Sequence, residues 1–188
     1  AKAEVLFNRL INQHPYFIPA YHSLLFILND KLSLSLLNAE QRTDTLKQIA
    51  ILSNNKGNAL LQAGHTEAAQ ASYHEALKYW SDYPSAFSNL SNVTRMLGQL
   101  SDAEKFARSA LALRSDFAEA WNNLGTALSE QGRTTEALRC YQNALKVNPE
   151  QEEAKHNAGS GSLFLLLYRD DLTGQQVADA HIKWGPVS

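Results

Sequence analysis

Three glycines, Gly64, Gly98 and Gly132, stand 34 residues apart, and the residues around them recur with the same period. A fixed period constrains a chain more than its composition does. Each repeat must be one supersecondary unit that buries its apolar face only by stacking on the next. Numbered from Ala118, the residues Trp121, Leu124, Gly125, Leu128, Gly132, Ala137, Tyr141, Ala144 and Pro149 fall at positions 4, 7, 8, 11, 15, 20, 24, 27 and 32. One period earlier, Phe87, Leu90, Gly98, Ala103 and Ala110 keep the pattern, while Ser91, Thr94 and Ala107 depart from it. Another period back, Gly57, Leu60, Gly64, Ala69, Tyr73 and Ala76 keep it, and Ser53 and Lys56 do not. Three repeats therefore run 50–83, 84–117 and 118–151 without an insertion.

The spacing has a physical reading as two helices per repeat. A glycine at position 15 closes the first helix with a left-handed residue at no Cβ penalty. Ser101 with Glu104 reads as a capping box for the next helix. Small residues at positions 8, 20 and 27 let two helices approach, and large ones at 4, 7, 11 and 24 fill the space between pairs. The pattern resembles the tetratricopeptide repeat. That resemblance implies an all-α fold, a right-handed superhelical solenoid of helix pairs. The expected pairs are 52–63 with 66–79, 85–97 with 101–113, and 119–131 with 135–147, with Trp121 buried between adjacent repeats.

The ends are less regular. Ala3, Phe7, Leu10 and Pro15 have the spacing of positions 20, 24, 27 and 32, so residues 1–17 read as a half repeat, its second helix only. The absent initiator Met and this start inside a helical pattern suggest a fragment or a processed chain. Residues 18–49 read as a degenerate repeat, with Tyr21, Leu24 and Leu28 at positions 4, 7 and 11. A helix resumes near Ala39 and meets the one ending at Ala63 with no Pro or Gly between them, which leaves open a tight break or one long helix. Residues 152–188 read as a partial repeat and a last helix. Gly159-Ser160-Gly161-Ser162 looks like a flexible break, natural or an engineered linker. Thr173 with Gln176 suggests a cap for a helix from about Gly174 to Trp184.

This tail carries a second resemblance. Leu163-Phe164-Leu165-Leu166-Leu167-Tyr168, Asp171-Leu172-Thr173 and His181-Ile182-Lys183-Trp184-Gly185 resemble the junction between the repeats and the catalytic region of protein O-linked N-acetylglucosamine transferases, chiefly the bacterial homologues. Ala158 to Ser162 departs from that family, which continues a leucine-rich helix there. The resemblance implies that a nucleotide sugar binds catalytic lobes beyond this chain, so no cofactor and no catalytic residue is assigned within it.

Composition narrows the rest. A net charge of −2 gives no basic surface for nucleic acid. The longest nearly unbroken apolar run, Leu163 to Tyr168, is far short of a membrane span. One cysteine, Cys140, rules out an internal disulfide framework and fits a reducing, cytoplasmic setting. It reads as a buried filler. His14, His22, His65, His74, His156 and His181 form no i, i+4 pair beside a carboxylate, so no metal site is expected.

The feature that points to function is polar. Asn55, Asn89, Asn123 and Asn157 occupy position 6 of successive repeats, on the first helix of each. Asn is a poor helix former, so four recurrences need a reason. Its amide both donates and accepts, and can pair with any peptide group whatever the side chain attached to it. Asn54, Asn58, Ser88, Asn92, Asn122 and Thr126, at positions 5 and 9, would widen a wet groove. A carboxylate clamp for a chaperone tail would need cations there, and Arg95 is the one such residue. The resemblance to the transferases implies the same use of an asparagine ladder. The expected function is recruitment of a protein or extended peptide, as the non-catalytic part of a protein O-glycosyltransferase. The alternatives are a free-standing adaptor, or a self-association module forming a homodimer.

Overall fold

The computed structural model describes residues 2–33 and 37–167, with side chains to Gly161. Among them are nine helices and no strand: α1 (Lys2–Gln13), α2 (Ile18–Ser33), α3 (Ala39–Gln62), α4 (Thr66–Tyr79), α5 (Pro84–Met96), α6 (Leu100–Leu113), α7 (Ala118–Glu130), α8 (Thr134–Val147) and α9 (Glu152–Leu167). Each helix packs on its neighbours in chain order, and α5, α7 and α9 also touch in succession. This is an all-helical solenoid. The three expected helix pairs are α3 with α4, α5 with α6, and α7 with α8.

The glycines at position 15 do what their spacing requires. Gly64, Gly98 and Gly132 have φ of 82°, 75° and 78°. Each donates to the carbonyl three residues back, at Leu61, Arg95 and Ser129. The next N–H reaches five back, to Leu60, Thr94 and Leu128. These paired bonds satisfy the last carbonyls of α3, α5 and α7 and turn the chain into the following helix.

Within a pair, positions 8 and 24 are coupled. The ring of Tyr73 lies against the backbone of Gly57, and a Cβ at Gly125 would sit 2.5 Å from Tyr141 Cε1. Both rings are buried. In the middle repeat both partners change. Ser91 replaces the glycine, Ala107 replaces the tyrosine, and the buried Ser91 Oγ donates to Ala103 O at 2.8 Å. The two departures from the repeat pattern thus compensate one another.

At position 4, Trp121 and Tyr21 lock two of the turns between repeats. Trp121 Nε1 donates to Ser115 O at 2.9 Å, and Tyr21 Oη donates to Pro15 O at 2.8 Å. Both acceptors stand at position 32 of the preceding repeat. To make this bond Trp121 keeps its indole edge at the surface, so it is half-buried rather than enclosed as expected.

Three further sequence expectations are resolved or corrected. Residues 39–62 form one continuous helix, with no break near position 50. It starts at a capping box the sequence reading passed over. Gln41 N donates to Asn38 Oδ1 at 2.8 Å, and Asn38 N to Gln41 Oε1 at 3.1 Å. The box expected at Ser101 and Glu104 does not form, because α6 already starts at Leu100. Glu104 instead accepts from Arg108 and Arg133, both at 2.8 Å, and these two guanidiniums hold its carboxyl below the usual range, Arg108 foremost. Helix α9 runs through Gly159 to Ser162 unbroken. Tyr168, the Thr173–Gln176 cap, His181 and the helix ending at Trp184 lie outside the described residues.

The coupling of positions 8 and 24 is testable in the third repeat. Gly125→Ser alone should destabilise by about 1–3 kcal/mol, the usual penalty for overpacking a tight interface. Combining it with Tyr141→Ala should cost less than the sum of the two single changes by about 1 kcal/mol or more. Urea unfolding of the four proteins in the cycle measures this. Strict additivity would show that the two positions do not share the contact.

Candidate functional site

The position-6 asparagines are not simply side chains on a solvated face. Asn89 Nδ2 donates to Asn54 Oδ1 at 2.9 Å and to Asn58 Oδ1 at 3.1 Å. Asn123 Nδ2 donates to Ser88 O and to Ser88 Oγ, both at 3.0 Å. Asn157 Nδ2 donates to Asn122 Oδ1 at 3.1 Å. In every case position 6 reaches back 35 residues to position 5 of the preceding repeat. The bond to Ser88 O fixes the amide orientation of Asn123, since a main-chain carbonyl only accepts. Among the described residues, none donates to Oδ1 of Asn89 or Asn123. Each such amide is half committed to the scaffold, and its carbonyl is left as an acceptor.

Asn55 breaks the series. It accepts a long bond of 3.5 Å from its neighbour Asn54, and has no partner on the preceding α2. The position-5 residue there is His22, which is exposed. The cross-repeat ladder therefore has three rungs, although four asparagines keep the spacing.

Position 5 also differs from expectation. Asn54, Ser88 and Asn122 are 4%, 3% and 5% exposed, so they form the floor of the groove rather than widening it. Asn122 uses both ends of its amide, donating to Glu153 Oε2 at 3.3 Å while accepting from Asn157. Position 9 is more open. Asn58 is exposed, and Asn92 is half-buried with Oδ1 accepting from Arg95 Nη2 at 3.1 Å.

Core and groove are joined through position 9. Tyr73 Oη donates to Asn58 Oδ1 at 2.9 Å, the same oxygen that receives Asn89. Burial pushes the Tyr73 hydroxyl up to about 12, so it stays a neutral donor. Tyr141, the position-24 tyrosine of the third repeat, is likewise buried, and burial raises its hydroxyl above the ordinary value.

Four of the seven proposed site residues converge. Asn92, Asn122, Asn123 and Asn157 line a cleft of 270 Å³ together with Arg95, Thr126 and Glu153. Its lining is amide, hydroxyl, guanidinium and carboxylate. Asn54, Asn55, Asn58 and Asn89 form the adjoining stretch on α3 and α5. The sequence reading did not single out Glu153, though its place one turn before Asn157 was a usable signal. Arg95, the one cation placed on this face, is engaged by Glu130 at 2.8 Å. Cys140 is buried, and burial raises its thiol to about 11, which keeps it protonated and inert. Among the described residues no three His, Cys, Asp or Glu side chains gather as a metal would need. Nor is any described helix long and apolar enough to cross a membrane.

Two profiles of the tetratricopeptide-repeat family match the sequence, one over residues 118–151 and one over 54–118. Residues 54–151 are tetratricopeptide repeats. Solved structures agree on the fold. The first TPR domain of human RPAP3 aligns with a TM-score of 0.63 at 21% identity, covering 67% of this chain and 99% of that one. The first TPR of Spaghetti (RPAP3), bound to the HSP90 peptide SRMEEVD, aligns at 0.61 and 23%, covering 64% and 95%. MamA aligns at 0.66 and 15% identity over 100% of this chain and 98% of its own. No curated protein sequence matches the chain.

The geometry makes a differential prediction about stability. Asn89→Ala and Asn123→Ala should each cost about 0.5–1.5 kcal/mol, the net value of an ordinary hydrogen bond. Asn55→Ala should be near neutral, since Ala is the better helix former and no cross-repeat bond is lost. Urea denaturation of the single variants tests the contrast. Equal effects at all three sites would contradict the ladder as described.

Proposed function

We propose that this tetratricopeptide array holds an extended protein segment by its backbone along the position-6 ladder. The observation that carries the reading is the division of labour within each amide. The Nδ2 of Asn89 and Asn123 is spent on the preceding repeat, and Oδ1 is left to accept a peptide N–H. Such acceptors recognise a main chain and not its side chains, so the groove suits many sequences. Because the scaffold already fixes each amide, little rotamer entropy is lost on binding.

Of the solved neighbours, two RPAP3 domains are complexed with the chaperone peptides SRMEEVD and SGPTIEEVD. An acidic tail of that kind needs free cations. Here the groove offers Arg95, already bound to Glu130 and Asn92, and asparagine elsewhere at position 6. A backbone grip fits these residues better than a carboxylate clamp.

The wider setting follows from the tail. Leu163 to Gly185 resembles the junction to the catalytic region of protein O-linked N-acetylglucosamine transferases. On that resemblance the array is the substrate-recruiting part of a protein O-glycosyltransferase in the cytoplasm. The described residues supply no phosphate-binding loop and no acid–base pair of their own. Given a nucleotide sugar and a protein acceptor, this chain alone should transfer no sugar, and detectable glycosylation would refute that assignment.

The binding reading is tested with reduced and alkylated lysozyme, a permanently unfolded chain that offers backbone throughout. Asn55, Asn89, Asn123 and Asn157 changed together to Ala should weaken its binding by roughly 2–6 kcal/mol if the contacts add. Circular dichroism should remain helical at low temperature, with a lowered melting point from the lost cross-repeat bonds. Unchanged affinity in a folded variant would sink the backbone grip.

A further inference from the structure

The groove changes chemistry along its length. On α3, Ile51 lies one turn before Asn55, so the face that starts the ladder continues back towards α1 as an apolar surface. There Leu24, Leu28, Ile51 and Leu52 wall a cavity of 300 Å³, rimmed by Glu4, Asn8 and Gln48. This is at the small end for a ligand pocket and suits one inserted side chain. Ile51 remains 41% exposed at its mouth.

Ile51 stands at position 2 of its repeat, where the later repeats carry Ser85, Glu119 and Glu153. Glu153 lines the polar cleft, and both glutamates are exposed. Arg95, the one guanidinium on this face among the described residues, is already engaged by Glu130, which leaves the carboxylates of Glu119 and Glu153 without a cation there. The groove thus runs from an apolar socket, past the amide ladder, to an acidic end.

We propose that this groove selects an extended basic peptide, which anchors one large aliphatic side chain in the socket between α1 and α3 and places lysine or arginine at Glu119 and Glu153. The inference rests on the reading that the ladder holds the peptide backbone. Burial of the aliphatic side chain supplies affinity, and the carboxylates supply charge complementarity. The spacing follows from the fold. Glu119 and Glu153 lie two and three first-helix steps beyond α3, each step about 8–10 Å. An extended chain advances about 3.3 Å per residue, so the basic residues fall roughly five to nine positions from the anchor.

The probe is a fluorescein-labelled peptide with one leucine, a spacer of alternating serine and alanine, and two lysines about seven residues on. It is made in both chain directions. Companion peptides replace the leucine by serine, or the lysines by glutamate. Fluorescence anisotropy against the whole chain should show the better-oriented probe weakened about tenfold by either replacement. Ile51→Ser should weaken the leucine peptide to the same extent and leave the serine peptide unchanged. Glu119→Lys with Glu153→Lys should reverse the order of the lysine and glutamate peptides. Equal affinity for all peptides, with Asn89→Ala and Asn123→Ala still weakening each, would overturn the selectivity and leave the backbone grip standing. No binding of any peptide in either direction would overturn both.

Discussion

The ring of Tyr73 pressed against the bare backbone of Gly57 is the contact on which the groove depends. It brings α3 and α4 close enough for the tyrosine hydroxyl to pass through the pair and reach Asn58. Asn58 in turn receives Asn89 from the next repeat, beside Asn54. A steric fit inside one helix pair is thereby transmitted, by two hydrogen bonds, to the spacing between first helices. The third repeat keeps the glycine and tyrosine, while the middle one substitutes a serine bonded to the opposite helix. Either solution keeps the pair tight, and the first helices remain in register.

That register gives the groove its rigidity. Amides free to rotate would lose entropy on meeting a ligand, and would compete with water for both donor and acceptor. Tying Nδ2 to the preceding repeat removes much of that freedom beforehand and makes groove and scaffold interdependent. A change at position 6 therefore affects stacking and, on the proposed reading, binding as well.

Much of this was legible from the period alone. Gly64, Gly98 and Gly132 marked the ends of three helices, because a left-handed residue there is a local requirement visible in one sequence. The recurrence of Asn55, Asn89, Asn123 and Asn157 on successive first helices was equally visible. What the sequence could not show was which atoms meet across repeats. The equal spacing of Asn55 hid the fact that its predecessor, His22, offers no floor acceptor. The polar residues Asn54, Ser88 and Asn122 looked like groove lining and proved to be buried floor, since polarity does not reveal whether a partner is water or protein. Ser101 and Glu104 had the spacing of a cap, but Arg108 and Arg133 took the carboxylate once α6 began one residue earlier. Gly159 to Ser162 had the composition of a break, yet the chain stays helical through α9.

The most direct measurement is a crystal structure of the chain with an extended peptide in the groove. The account predicts that Asn89 Nδ2 keeps its bonds to Asn54 and Asn58, that Asn123 Nδ2 keeps its bond to Ser88 O, and that Oδ1 of both asparagines accepts N–H groups of the peptide main chain. A peptide whose carbonyls draw Nδ2 away from the preceding repeat, or one seated on another face of the solenoid, would contradict it.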